Sequence, residues 1–219
     1  MTSLAPALRP SGSRYDGAFT VFLPGHPFSR AELHAMTVDG VLRRELLDAH
    51  VHASQPVTDS LRAVVLSRVV PGNLQRRGVL GRLGAAWFYR CAREPSPLPV
   101  LVDKSARTTA TVPPGIVLHQ TSFAPEDVVT LRGISLTSPR RTALDIALYV
   151  PGPAGDAALL ALMSASRLRC TPQDVRLGLE TLPKTPGRRA ALTRVRKLSR
   201  GMQTEAQGRT VQPAAVTGT

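Results

Sequence analysis

The segment Gly133-Ile134-Ser135-Leu136-Thr137-Ser138-Pro139-Arg140-Arg141-Thr142-Ala143-Leu144-Asp145-Ile146-Ala147 decides how the chain is read. Its first part closes an extended stretch, Val128 to Leu136, folded about Arg132-Gly133. Its second part opens a helix from Pro139 to Tyr149, because Ser138-Pro139 puts proline at the first helical position, where its missing N–H costs nothing. On that helix Arg141 and Asp145 are four apart and can pair on one face, with Thr142 one turn before Ile146. Two roles fit these residues. One is a helix-start network, in which Thr137 or Ser138 caps the helix and Arg141–Asp145 clamps it to the preceding strand. The other is a binding role.

Upstream of the segment, Leu98 to Val102 and Gly115 to Gln120 are short apolar runs bounded by proline, as buried strands are, and Pro113-Pro114-Gly115 is a turn. Gly78 to Cys91 reads as a helix, with Val79, Leu83 and Ala86 on successive turns. Downstream the texture is helical: Ala154 to Leu168, Thr171 to Leu182 with Pro172 at its start, and Pro186 to Arg200. Strands followed by a run of helices argue for an α+β class, a short mixed sheet backed by helices, spanning residues 74–200.

A smaller block precedes it over residues 19–73. Ser29 and Glu32 have capping-box spacing, with Phe28 and Leu33 at the staple positions, so a helix to Met36 is expected. Asp39 is placed to cap a second helical turn through Val41, Leu42 and Leu46. Val51 to Val57 reads as extended, and Thr58 to Val70 returns to helix through Leu61, Val64, Val65 and Val69. Helix, helix, extended element is the outline of a small, degenerate winged helix-turn-helix. Residues 1–18 read as a flexible leader and 201–219 as a disordered tail.

The chain of 219 residues carries a net charge of +13, from 25 arginines and 3 lysines against 15 acids. Coding bias explains arginine over lysine but not the shortage of acids, and such a chain attracts polyanions. From Ser60 to Arg93 there are seven arginines and no acid. From Thr185 to Arg200 there are six basic residues and again no acid. Within the last helix Arg189, Arg196 and Arg200 fall close together on one face, while Ala191, Val195 and Leu198 form a core stripe. Phe28 to His52, by contrast, holds three arginines against four acids. The candidate phosphate contacts are Arg43, Arg44, Arg76, Arg77, Arg82, Arg189, Arg196 and Arg200. Such contacts position a protein on nucleic acid without reading its sequence.

Enzyme signatures are missing. There is no phosphate-cradling glycine loop of either common type. His50 and His52 would share a strand face but lack a third metal ligand. His119 reads as a hydrogen-bonded core-edge residue, Asp103-Lys104 has the wrong order for a nuclease pair, and Trp87 reads as core. Cys91 and Cys170 lack metal spacing and read as free thiols of a cytosolic protein. No run of 18 apolar residues and no signal peptide are present. No cofactor or metal is expected.

The quoted segment resembles the glycine–Thr-x-Pro-x-Arg-Thr-x-x-Asp pattern of AbiEi-type antitoxins, the abortive-infection family common in actinobacteria. Other features fall in that family's order. Phe28 to Leu33 is similar to the opening of its winged helix and Gly81 to Trp87 to its first domain helix. Ile116 to His119 is similar to a family strand, and Pro125-Glu126-Asp127 to the element before the Gly133 strand. Gly81-Arg82-Leu83-Gly84 departs from the usual His-Arg-Ser before Ala-Ala-Trp. The resemblance implies a non-catalytic, DNA-binding regulator acting on its own promoter region. It also implies a nucleotidyltransferase-type toxin partner, opposed with or without direct contact, and a form lacking the Vsr-like endonuclease domain of some relatives. A solitary interaction protein and an RNA-binding accessory protein remain as alternatives.

Overall fold

Ser29 Oγ accepts from the Glu32 amide at 3.3 Å and Glu32 Oε2 accepts from the Ser29 amide at 2.7 Å, so helix α1 (Arg30–Val38) begins on a reciprocal capping box. It ends at Asp39-Gly40. Gly40 adopts φ +73°, its N–H donates to Thr37 O at 3.2 Å, and the Val41 N–H donates to Met36 O at 2.9 Å. That paired closure stops a helix on a left-handed glycine. The computed structural model in which these features are seen describes residues 19–105 and 112–210. The leader at 1–18 and the end of the expected tail, 211–219, lie outside the described residues.

The chain leaves α1 directly into strand β2 (Leu42–Leu46), which pairs antiparallel with β3 (Ala49–His52). The short β1 (Val21–Phe22) lies on the other side of β3, giving the order β1-β3-β2. The expected second helical turn through Val41, Leu42 and Leu46 is therefore corrected to a strand. A spacing of four satisfies the two-residue period of a strand as well as a helical turn, and both leucines are buried. Among the described residues from 19 to 53, α1 is the one helix and a hairpin follows it. The helix–turn–helix pair expected there is absent from those residues. Helix α2 (Asp59–Val69), capped by Thr58 Oγ1 on the Leu61 amide at 3.1 Å, packs Leu61 and Val65 against this sheet.

After the short α3 (Gly72–Gln75) a second, five-stranded sheet begins. Its strands are β4 (Gly78–Leu80), β5 (Leu98–Asp103), β6 (Ile116–Thr121), β7 (Val128–Leu131) and β8 (Ile134–Thr137), in the order β6-β5-β4-β8-β7. β5 runs parallel to β6 and β4 parallel to β8, while β4–β5 and β7–β8 are antiparallel. The helix expected from Gly78 is a correction too: Gly78-Val79-Leu80 is the central strand, and α4 spans only Arg82–Phe88. All three residues of β4 are buried, and a side chain at Gly78 would sit 2.6 Å from Val100 Cγ1 and 2.7 Å from Leu74 O. The glycine is required by close packing.

The helices that follow are α5 (Pro139–Tyr149), α6 (Pro153–Ser164), α7 (Pro172–Thr181) and α8 (Arg188–Thr210). Helix α8 runs through 201–210, where a disordered tail was expected. Helix α5 is the hub, packing on β8 and touching α4, α6, α7 and α8. One continuous apolar core runs from Leu46 and Val51 through Trp87, Leu136 and Ile146 to Val195, so the first sheet shares its interior with the second. Both cysteines are free and buried. Among the described residues, no helix is long and apolar enough to cross a membrane.

Candidate nucleic-acid interface

Helix α7 starts on a capping box in which Thr171 Oγ1 accepts from the Asp174 amide at 3.2 Å and Asp174 Oδ2 accepts from the Thr171 amide at 2.8 Å. Helix α8 packs beside it through the buried Ala191 and Val195. Residues seven and four apart share a helix face, so Arg189, Arg196 and Arg200 form one row, with rises of about 10 Å and about 6 Å between them. All three are exposed. Arg196 is 57% exposed and reaches one carboxylate, that of Glu180, at 3.6 Å, which is too long for a hydrogen bond. Beside the row lies an open cleft of about 400 Å³ between the two helices, lined among others by Thr171, Arg176, Arg196, Ser199, Arg200 and Gln203.

The remaining candidate arginines do not join this row. Arg43 is held by Glu45 at 3.2 Å and by the carbonyls of His52 and Ala53, and Arg44 pairs with Glu94. Both make contacts within the fold, and the Arg44 side chain remains 56% exposed. Arg76, at the end of α3, and Arg77, which follows it, are exposed. Arg82 is half-buried: its Nη1 lies 3.0 Å from His119 Nε2 and its guanidinium 4.9 Å from the centre of the Tyr149 ring. Burial and the Arg82 charge both push the His119 imidazole below its usual value, leaving it neutral near pH 7. Of the seven arginines between Ser60 and Arg93, Arg62 meets Glu45 at 3.1 Å and Arg90 meets Asp59 at 3.6 Å, both acids from outside that run.

The Thr137–Asp145 motif forms a closed network. Ser138 Oγ accepts from the Arg141 amide at 3.4 Å, and Pro139 fills the first helical position. The Thr142 hydroxyl lies 2.6 Å from the Thr137 hydroxyl and 3.0 Å from Thr137 O, which also accepts from Tyr89 Oη at 2.8 Å. Arg141 donates to Asp145 Oδ1 at 3.0 Å, Thr121 Oγ1 at 2.9 Å and Ser122 O at 3.2 Å, and pairs with Asp127. One guanidinium thus ties α5 to the end of β6 and to the turn before β7. Burial pushes the Asp145 carboxyl above its ordinary value even beside Arg141. His50 is buried while His52 is exposed against Ser54 Oγ at 2.7 Å. Among the described residues no three His, Cys, Asp or Glu side chains are grouped to hold a metal ion.

A family model, that of the AbiEi antitoxin C-terminal domain, matches residues 78–199. The chain belongs to the AbiEi antitoxin family. The match opens at the first residue of β4 and closes within α8, so the AbiEi domain comprises the second sheet, the Arg141 network and most of the α8 row, with Arg200 one residue beyond. The first sheet lies outside it. A search of curated protein sequences finds no significant match.

Two arginines of the AbiEi domain matter more than their sequence neighbourhood suggests. Arg194 turns inward, donating to Asp156 Oδ1 at 2.5 Å, Ile146 O at 3.2 Å and Val150 O at 2.8 Å, so it caps the C-terminus of α5. Its place three residues after Ala191 and four before Leu198, in phase with the core stripe, is the signal that separates it from the exposed row. Arg176 reaches the cleft from α7, a helix whose single arginine stood out in no basic run.

Proposed function

We propose that this chain is the antitoxin of a toxin–antitoxin pair and represses its own operon by binding promoter DNA through the outer faces of α7 and α8. The observation that carries this reading is the row of Arg189, Arg196 and Arg200, exposed on one face, where Glu180 at 3.6 Å from Arg196 is the one acid met among the described residues. Guanidinium groups so placed hold phosphates. Family membership supports the antitoxin role, and the toxin it opposes is of nucleotidyltransferase type. The protein acts by binding and without catalysis, in the cytoplasm. Arg76, exposed outside the row, adds to the general attraction for polyanions without setting the docking geometry.

A gel shift tests this at a fixed salt concentration of about 0.15 M, where surface charge is screened beyond roughly 8 Å. The duplex from its own upstream region should bind on the order of 10³-fold tighter than a scrambled duplex of equal length. Equal affinity for the two would reduce the protein to a polyanion binder and end the repressor reading.

A further inference from the structure

Three guanidinium groups, those of Arg176, Arg196 and Arg200, line the α7–α8 cleft, and the Glu180 carboxylate faces the first two among the described residues. Arg176 Nη1 donates to both oxygens of Glu180, at 2.9 and 3.0 Å, four residues along its own helix. Arg196 stands 3.6 Å from the same carboxylate and Arg200 lies one turn further along α8. The cleft volume of about 400 Å³ is that of a small-ligand site. Its walls offer no aromatic ring, and Val195 and Pro172 are its apolar surface. A ligand there is recognised by charge and by hydrogen bonds, not by stacking.

We propose that this cleft is a phosphate-binding pocket in which Glu180 is a built-in competitor that the phosphate displaces from Arg196. The Arg196 contact is the weak one, because it is longer than a hydrogen bond and more than half exposed. Arg196 and Arg200, one turn apart, then close on two oxygens of the same phosphate, while Arg176 keeps Glu180 and screens its charge. This deepens the DNA-binding reading by adding Arg176 and Glu180 to the site, but the pocket itself rests on the cleft. The phosphate comes either from a DNA backbone or from a small phosphorylated molecule.

The test titrates the full chain with sodium pyrophosphate at constant ionic strength by calorimetry, for the natural sequence, Glu180→Gln and Arg196→Ala/Arg200→Ala. Saturable binding is expected for the natural sequence, about tenfold tighter binding for Glu180→Gln as one close like charge is removed, and loss of binding in the double variant. Thermal melts of all three proteins establish that they are folded, and an exposed i,i+4 pair such as Arg176–Glu180 moves them little. Absence of saturable binding to both the natural chain and Glu180→Gln overturns the pocket, and so does a double variant that binds as before. A short duplex displaced by pyrophosphate identifies the DNA backbone as the source. Pyrophosphate binding alongside an undisturbed duplex keeps the pocket for a small phosphorylated ligand and removes it from the DNA-binding reading.

Discussion

Arg141→Ala should lower the unfolding free energy by about 3–5 kcal/mol, the cost of stripping one partner from a buried ion pair. Asp145 is 4% exposed, its Oδ2 has no hydrogen-bond partner among the described residues, and its Oδ1 depends on Arg141 Nε. Without the guanidinium, that carboxylate is left buried with no donor. Asp127 keeps the Ala124 amide at 2.9 Å, but the links to Thr121 Oγ1 and Ser122 O are lost, and with them the anchor of α5 on the end of β6. The pH dependence carries a sign. With its partner gone, Asp145 titrates further above its unfolded value, so the folded state holds a proton that the unfolded state releases. The variant is therefore least impaired at acid pH and loses stability as pH rises toward the elevated folded value. Urea unfolding at pH 5 and pH 8 checks both statements, and Asp145→Asn in the Arg141→Ala background should recover part of the loss.

The second large effect is at the junction of the two sheets. Arg62, 8% exposed, donates to Glu45 Oε1 at 3.1 Å and to Trp87 O, with its charge 4.5 Å from the centre of the Trp87 ring. Burial pulls its guanidinium below the usual value, while Glu45 opposes the shift. Arg62→Ala strands Glu45, itself 6% exposed, with Arg43 as its remaining partner, and opens space against the tryptophan face. The expected cost is again about 3–5 kcal/mol, a fall in Tm of roughly 10 °C for a chain of this size. Arg62→Met should cost less, since it refills the volume and leaves only the carboxylate uncompensated. Trp87 is the sole tryptophan, so a red shift of its emission in Arg62→Ala reports the junction directly. Unchanged emission and Tm would mean that α2 is held by its apolar contacts alone.

Much of the fold was legible because its signals are local. The Ser29 box, the Thr58 cap, and proline after Ser138 and Thr171 each mark a helix start within four residues, and the strands from Leu98 to Thr137 stand between turns. What failed was two apolar stretches whose local pattern does not decide between helix and strand. Leu42 and Leu46 serve a strand as well as a helical turn, and the Asp39-Gly40 stop that decides between them was read as a cap for a new helix. Gly78-Val79-Leu80 has no period of its own. It is a strand because β5 and β8 flank it, which no window of sequence contains. Charge pairing is hidden from the sequence for a similar reason. Arginines pair with acids far along the chain: Arg62 with Glu45 across 17 positions, Arg44 with Glu94 across 50, and Arg194 with Asp156 across 38. The row on α8 was legible because helical spacing alone sets it, and among the described residues Glu180 is the acid that reaches it.

The salt dependence of promoter binding tests that row most directly. Titrations of the upstream duplex between 0.05 and 0.2 M salt, roughly the window in which counterion release is resolved, compare the natural chain with Arg189→Ala/Arg196→Ala/Arg200→Ala. If the three side chains hold phosphates, the logarithmic slope becomes shallower by about 2.7, at about 0.9 per lost contact, and affinity falls alike for specific and scrambled duplexes. An unchanged slope in a triple variant that melts as the natural chain does would place the DNA elsewhere on the molecule.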